Sequence, residues 1–355
     1  MRISRRKFLT KTAKAGCTLA CLPLLTTENA CVVADYSPSN SWPGKVIEVI
    51  SQNAVINSSM NALTIKVMLA KGLKELTGTK DPEEAMKLFF NSKDVVAIKV
   101  NPLNKMCATH PELVYEVSSL LQRIGIKPDN IIIWDRFENY YGLTQSGYRV
   151  ESDPGKVRCY ATDTKGIGLD PEVYYKSALA YYEGDGYSGT ETIYNKQWSN
   201  YSRIVTQIAT KIINIPVLKH HGLSGVSLCL KNLAFGSVNN TIRLHENNCS
   251  PSIAEIYNHP VIRNKTVLCI IDSIFGWYAD SPTYAGPDPL WYAGALLFGT
   301  DPVALDSVGE KILIKKRREN NLSEEEDVKI SSHIAVAANL GLGKKDEIDH
   351  KVYKV

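Results

Sequence analysis

Six apolar runs of strand length, separated by stretches in which apolar residues recur every three or four positions, predict an α/β fold. The expected architecture is a mostly parallel sheet with flanking helices, built as one domain or as two intimately joined halves. Two further observations point the same way. Helix start signals sit between the runs, as in Thr109-His110-Pro111-Glu112 and Asp301-Pro302, where a capping side chain precedes proline. The runs also lead into polar or charged residues, as strands of an open parallel sheet do where ligands gather at the carboxyl edge.

The chain opens with a segment of a different kind. Ser4, Arg5, Arg6, Lys7, Phe8 and Leu9 are followed by Lys11 and Lys14, an apolar stretch from Ala15 to Leu25, and small residues at Val32-Val33-Ala34. This order resembles a twin-arginine export signal with its cleavage site. Residues 1–34 are therefore expected to be a signal peptide, and residues 35–355 a single α/β domain in the periplasm or another extracytoplasmic space. The twin-arginine export machinery is then a partner. Cys17, Cys21 and Cys31 lie in this segment, but none has an aliphatic residue three positions before it, which argues against lipidation.

The strands are expected at about 45–50, 95–100, 130–135, 211–218, 265–272 and 294–299. Their words, KVIEVI, DVVAIKV, NIIIWD, KIINIPVL, KTVLCIID and GALLFG, are mostly rich in Val and Ile, as strands buried on both faces require. Helices fill 59–77, 111–124, 224–234, 252–258, 302–316 and 328–340. From about 151 to 202 the pattern breaks. Tyr174, Tyr175, Tyr181, Tyr182, Tyr187, Tyr194 and Tyr201 stand among Gly184, Gly186 and Gly189, which reads as a Tyr/Gly-rich insertion over the sheet. A surface excursion with its own aromatic packing is the simpler reading, and a lid the functional one. No glutamate closes a calcium loop around Asp185.

The full chain carries 41 basic and 37 acidic residues, and removal of residues 1–34 leaves 35 and 36. The mature protein is nearly neutral, with no basic stripe interleaved with aromatics, so no nucleic-acid partner is expected. Lys315-Lys316-Arg317-Arg318 reads as the solvated end of a helix. No later stretch holds eighteen uninterrupted apolar residues, so no transmembrane anchor is expected after cleavage. Cys107, Cys159, Cys229, Cys249 and Cys269 remain, an odd number without C-x-x-C spacing, which reads as isolated buried thiols.

Chemistry is expected where the strands end. Lys99, Asn101, Asp135, Lys219, His220, His221, Asp272 and Asp301 all follow strand words and should converge at one edge of the sheet. The segment from Pro216 to Asn232 concentrates this signal. Lys219 and His220 are expected in a loop, Gly222 and Gly225 would let backbone approach a ligand, and the following helix would offer free N–H groups to an anion. Lys231 and Asn232 come next, then Arg243 and His245. Lysines and a helix N-terminus suit a phosphate or carboxylate, whereas His220, His245, Asp272 and Asp306 are ligand types for a divalent metal. No tight motif such as H-E-x-x-H decides between them. Asp301 before Pro302 also reads as a helix cap.

These words also carry a resemblance. KVN at 99–101, LKHHGLSGVSLCLKN at 218–232, DSIFG at 272–276, AGP at 285–287 and GTDPVALD at 299–306 resemble the landmarks of the uncharacterised family called domain of unknown function 362, from about Lys45 to Leu340. Many relatives carry a ferredoxin-like cysteine array, which this sequence lacks, so an iron–sulfur cluster is not expected. The resemblance selects Lys99, Asn101, Lys219, His220, Lys231, Asn232, Asp272, Asp301 and Asp306.

The expected function is that of an exported enzyme acting on a small anionic substrate. His220 would exchange protons near its natural pKa, and Lys219 and Lys231 would neutralise charge. Lys99, Asn101, Asn232, Arg243 and His245 would bind the substrate, and Asp272, Asp306 and His220 would hold a metal if one is present. A non-catalytic ligand or metal binder, or an accessory to redox or maturation machinery, are the alternatives. No G-x-S-x-G elbow, P-loop or G-x-G-x-x-G fingerprint assigns a reaction class.

Overall fold

The computed structural model describes residues 41–139, 141–179, 192–279, 288–322 and 331–355. The expected signal peptide, Tyr181, Tyr182, Asp185 and Tyr187 of the insertion, AGP at 285–287 and the start of the helix expected from 328 lie outside the described residues.

Strand β1 (Lys45–Ile50) leads through the short pair β2 (Val55–Ile56) and β3 (Ser59–Met60) into helix α1 (Ala62–Thr77). The Asn61 side chain accepts from the Thr64 amide, and left-handed Gly78 ends the helix. Helix α2 (Pro82–Lys87), β4 (Val96–Lys99), α3 (Pro111–Arg123), β5 (Ile131–Trp134) and the short β6 (Arg158–Cys159) follow. A separate hairpin, β7 (Leu169–Lys176) with β8 (Trp198–Ser202), precedes β9 (Lys211–Asn214), β10 (Val217–His221) and β11 (Gly225–Ser227). The chain continues through α4 (Cys229–Gly236), α5 (Ser252–Asn258), α6 (Pro260–Arg263), β12 (Thr266–Trp277), β13 (Leu290–Gly299), α7 (Pro302–Glu319), α8 (Ser332–Asn339) and β14 (Asp349–Lys354).

One sheet runs in the order β14-β1-β13-β12-β9-β4-β5-β6, with β10 beside β12 and β11 on β10. Six of its pairings are parallel and three antiparallel, so the α/β class and the mostly parallel sheet are as the sequence predicts. Both faces are covered. Ile47, Val49, Ile98 and Phe298 pack against α1 and α3 on one side, while Ala97, Trp134 and Leu297 pack against α4, α5 and α7 on the other. Each fully buried Leu or Ile contributes about 1.5–3 kcal/mol, so these two layers hold the sheet rigid beneath its edge.

Four expectations change. The run at 211–218 divides at Pro216, which has no N–H for a ladder. Ile215 N donates to Lys99 O, and Pro216 O accepts from Asp272 N, so the second half leaves β9 and pairs with the far end of β12. The stretch expected to be helical from 224 begins instead as β11, and Lys219 and His220 lie in a strand rather than a loop. The run at 294–299 is the end of a longer strand, β13, antiparallel to β12: Gly299 pairs with Cys269 near the start of β12. Asp301 therefore sits at the opposite edge from Lys99 and Asp135. There its carboxylate caps α7 through Ala304 N and also accepts from Gly44 N and Lys344 N. The Tyr-rich excursion starts later than expected, because β6 joins the main sheet.

Candidate functional site

A cleft of about 550 Å³ opens where the carboxyl ends of β4, β5 and β10 meet α4 and the end of β12. Pairing places Lys219 opposite Trp277 across β10 and β12, and Lys99 opposite Trp134 across β4 and β5. Lys99, Asn101, Asp135, Lys219, His220 and His221 of the strand-end set line this cleft, with Lys231, Asn232 and His245 from the segment that follows. Arg136 and Lys105 join them.

Lys99 is almost wholly buried, and its Nζ donates to the Asp135 carboxylate, to Val100 O at 2.7 Å and to Asn232 Oδ1 at 3.2 Å. Burial pulls its pKa below the usual lysine value, against the Asp135 carboxylate that holds the charge in place. The Trp134 ring lies 5.4 Å from the ammonium. Gly236 makes room for this arrangement: a Cβ there would stand 2.3 Å from Lys99 Cε. Asn232 in turn donates to Asn214 Oδ1 at 2.8 Å, and Asn214 donates to Cys229 O at 3.1 Å, so the cleft floor is tied into the core.

Lys219 donates to Asn101 Oδ1 at 3.3 Å, and the Lys231 ammonium lies 5.0 Å from the Phe235 ring. Arg136 donates to Thr241 Oγ1 at 2.8 Å and covers the Phe137 ring. The His221 and His245 rings stack 5.6 Å apart, and Phe235 meets His245 edge-on at 5.3 Å. Burial, reinforced by Lys231 and, at His221, by His245, lowers both imidazole pKa values, that of His245 to about 4. Both are neutral bases inside a cationic cleft.

The expected metal set is not assembled. Asp272 is buried and accepts from His110 N and Nδ1, both at 2.8 Å, and from Ile274 N. Burial alone would lower the His110 pKa, but this carboxylate outweighs it and raises it. Asp306 accepts from Cys229 N at 2.6 Å and Leu230 N at 3.0 Å. Neither carboxylate lines the cleft with His220. No group of three His, Cys, Asp or Glu among the described residues is arranged to hold a metal ion. The α4 N-terminus is likewise closed to a ligand, because Asp306 takes its amides and burial raises that carboxyl to about 7.

The sequence matches the model of the domain of unknown function 362 family over residues 96–311. The chain belongs to this family. The matched region runs from β4 into α7 and so contains every lining residue named above. No curated protein matches the sequence. A crystal structure of a Thermotoga maritima protein is similar at 11% identity with a TM-score of 0.41, over 74% of this chain and 60% of that one.

In this domain of unknown function 362 protein, Arg243 is the predicted substrate residue that stands elsewhere. Its Nη atoms donate to Leu179 O at 2.6 Å and Ser199 Oγ at 2.7 Å, so it anchors the insertion. Asn239 and Asn240 tie the same region through Thr192 O and Trp198 O, and Tyr174 stacks on Trp198 at 3.9 Å. Aromatic packing of its own is what these described parts display. Sequence reasoning left Arg136 and Lys105 out of the site, and it set His221 at the sheet edge without giving it a role. The five cysteines among the described residues are free and buried. Among the described residues no helix is long and apolar enough to cross a membrane.

Proposed function

We propose that the protein is an exported enzyme whose cleft binds a small anionic substrate at the carboxyl edge of its sheet. One observation carries this reading. Among the described residues, Lys99, Lys105, Arg136, Lys219 and Lys231 line the cleft together with one carboxylate, Asp135, which Lys99 engages. A positive field focused between low-dielectric walls favours an anion and weakens as salt rises. Imidazoles at the same edge supply proton-transfer groups, which favours turnover over passive capture.

Titration calorimetry against phosphate, sulfate and acetate tests the reading, with Lys219→Met as the variant, because methionine keeps most of the stem and removes the charge. The parent should bind one of these anions more weakly at higher salt, and Lys219→Met should lose binding while unfolding at the same temperature. Undiminished tight binding in the variant would sink the role of Lys219. Export rests on the N-terminal words, and replacing Arg5 and Arg6 by lysine should leave uncleaved protein in the cytoplasm.

A further inference from the structure

The two stacked imidazoles are held in opposite tautomers by backbone. His221 Nδ1 accepts from Leu223 N at 3.3 Å and Ser224 N at 3.1 Å, so this nitrogen carries no proton and the ring's N–H is at Nε2. His245 Nδ1 lies 3.0 Å from Thr241 O, and a carbonyl can only accept, so Nδ1 carries the proton and Nε2 presents a lone pair. Both residues line the cleft, and in each ring Nε2 is the nitrogen left over from the backbone bond. The wall beside the lysines thus offers one fixed donor, His221 Nε2–H, and one fixed acceptor, His245 Nε2.

A bare anion can use the donor but has nothing to give the acceptor. A hydroxyl can serve both, accepting from His221 and donating to His245. We infer that the His221–His245 pair reads a hydroxyl group on the substrate, so the cleft selects a hydroxylated anion, a hydroxycarboxylate or a sugar phosphate, over the plain anion. The inference rests on the anion-binding reading above and names the substrate class within it. A site built to pair both faces of a hydroxyl discriminates against the analogue lacking it, because its buried polar atoms are then left unpaired.

The test compares matched probes by calorimetry at one salt concentration: glycolate against acetate, and glycerol 3-phosphate against inorganic phosphate. In at least one arm the hydroxylated probe should bind tenfold tighter or better, and the arm in which it does so separates a carboxylate from a phosphate head. Asparagine keeps the anchoring bond of each ring and deletes Nε2, since its Oδ1 can accept from Leu223 N and Ser224 N, and its Nδ2 can donate to Thr241 O. His245→Asn should therefore erase the hydroxyl preference, read as the ratio of the matched affinities, and His221→Asn, which also removes a donor that the plain anion can use, should weaken both members of a pair and shrink that ratio. Nitrogen NMR of the imidazoles should find His245 protonated at Nδ1 and His221 at Nε2. Equal affinity for the matched probes in both arms, with anion binding intact, overturns the inference and leaves the anion cleft standing. Binding of none of the four overturns both.

Discussion

Replacing Gly236 by alanine should destabilise the protein although alanine is the better helix former. Gly236 is the last residue of α4 and has no left-handed φ, so on backbone grounds alone the substitution should stabilise by up to about 1 kcal/mol. The space around it reverses that sign. A new Cβ would lie 2.3 Å from Lys99 Cε and 2.5 Å from Nζ. A lysine end is ordinarily free to swing away, but this one is buried and bonded to Asp135, Val100 O and Asn232. Moving it strands Asp135 and forfeits charge-assisted hydrogen bonds worth about 1.5–3 kcal/mol, on top of about 1–3 kcal/mol for overpacking. After the helix gain is subtracted, the net loss is roughly 1.5–5 kcal/mol. Urea unfolding of Gly236→Ala, Lys99→Ala and the double variant measures it as a cycle. In the Lys99→Ala background the added methyl should be neutral or stabilising, which gives a coupling of about 2 kcal/mol or more. Equal destabilisation in both backgrounds, or a stable single variant, would refute the argument that Gly236 exists to admit Lys99.

Arg243→Ala should lower stability by about 1–3 kcal/mol, since it unties Leu179 O and Ser199 Oγ, yet leave phosphate affinity unchanged; a matching loss of affinity would return Arg243 to the binding site. His333 is buried with neither ring nitrogen bonded among the described residues, and burial, with Lys231 second, lowers its pKa to about 3. Because the folded pKa lies below the unfolded one, the unfolded chain binds more protons between about pH 3 and 6.5, and stability falls as pH drops through that window. Between pH 7 and pH 5 the parent should lose about 2 kcal/mol more than His333→Leu, from about 1.4 kcal/mol per unit. Parallel stability-against-pH curves for the two proteins would show that His333 is not the titrating group.

Strand positions were legible because β4, β5, β9 and the first half of β12 are covered on both faces, and only unbroken runs of apolar residues satisfy that. Strand direction was not. Apolar periodicity is the same whichever way a strand runs, so GALLFG gave no sign that β13 turns back and carries Asp301 to the far edge. The break at Pro216 was visible as a residue without an N–H, but its consequence depends on β12 being long enough to receive β10, which is a tertiary fact. Lysines were easier to place than carboxylates. Lys99 ends β4, Lys219 lies within β10 and Lys231 lies in the first turn of α4, each following an apolar run in the sequence, where burial of an ammonium demands a reason. Asp135, at the same kind of position, reads equally well as a turn residue until its partner Lys99 is seen.

The aspartates of GTDPVALD explain why a motif can be specific without being a ligand set. Asp301 and Asp306 are five positions apart and both buried, yet each spends its oxygens on backbone amides: Asp301 on Ala304, Gly44 and Lys344, Asp306 on Cys229 and Leu230. Neither carboxylate lines the cleft, and one placed in this way fixes a helix. By closing the first turn of α4 from the neighbouring α7, Asp306 sets the position of the helix that carries Lys231 and Asn232, while Gly236 at its other end admits Lys99. The motif far from the cleft thus acts on it through one rigid element, and an exact docking of α4 is what both ends of that helix require.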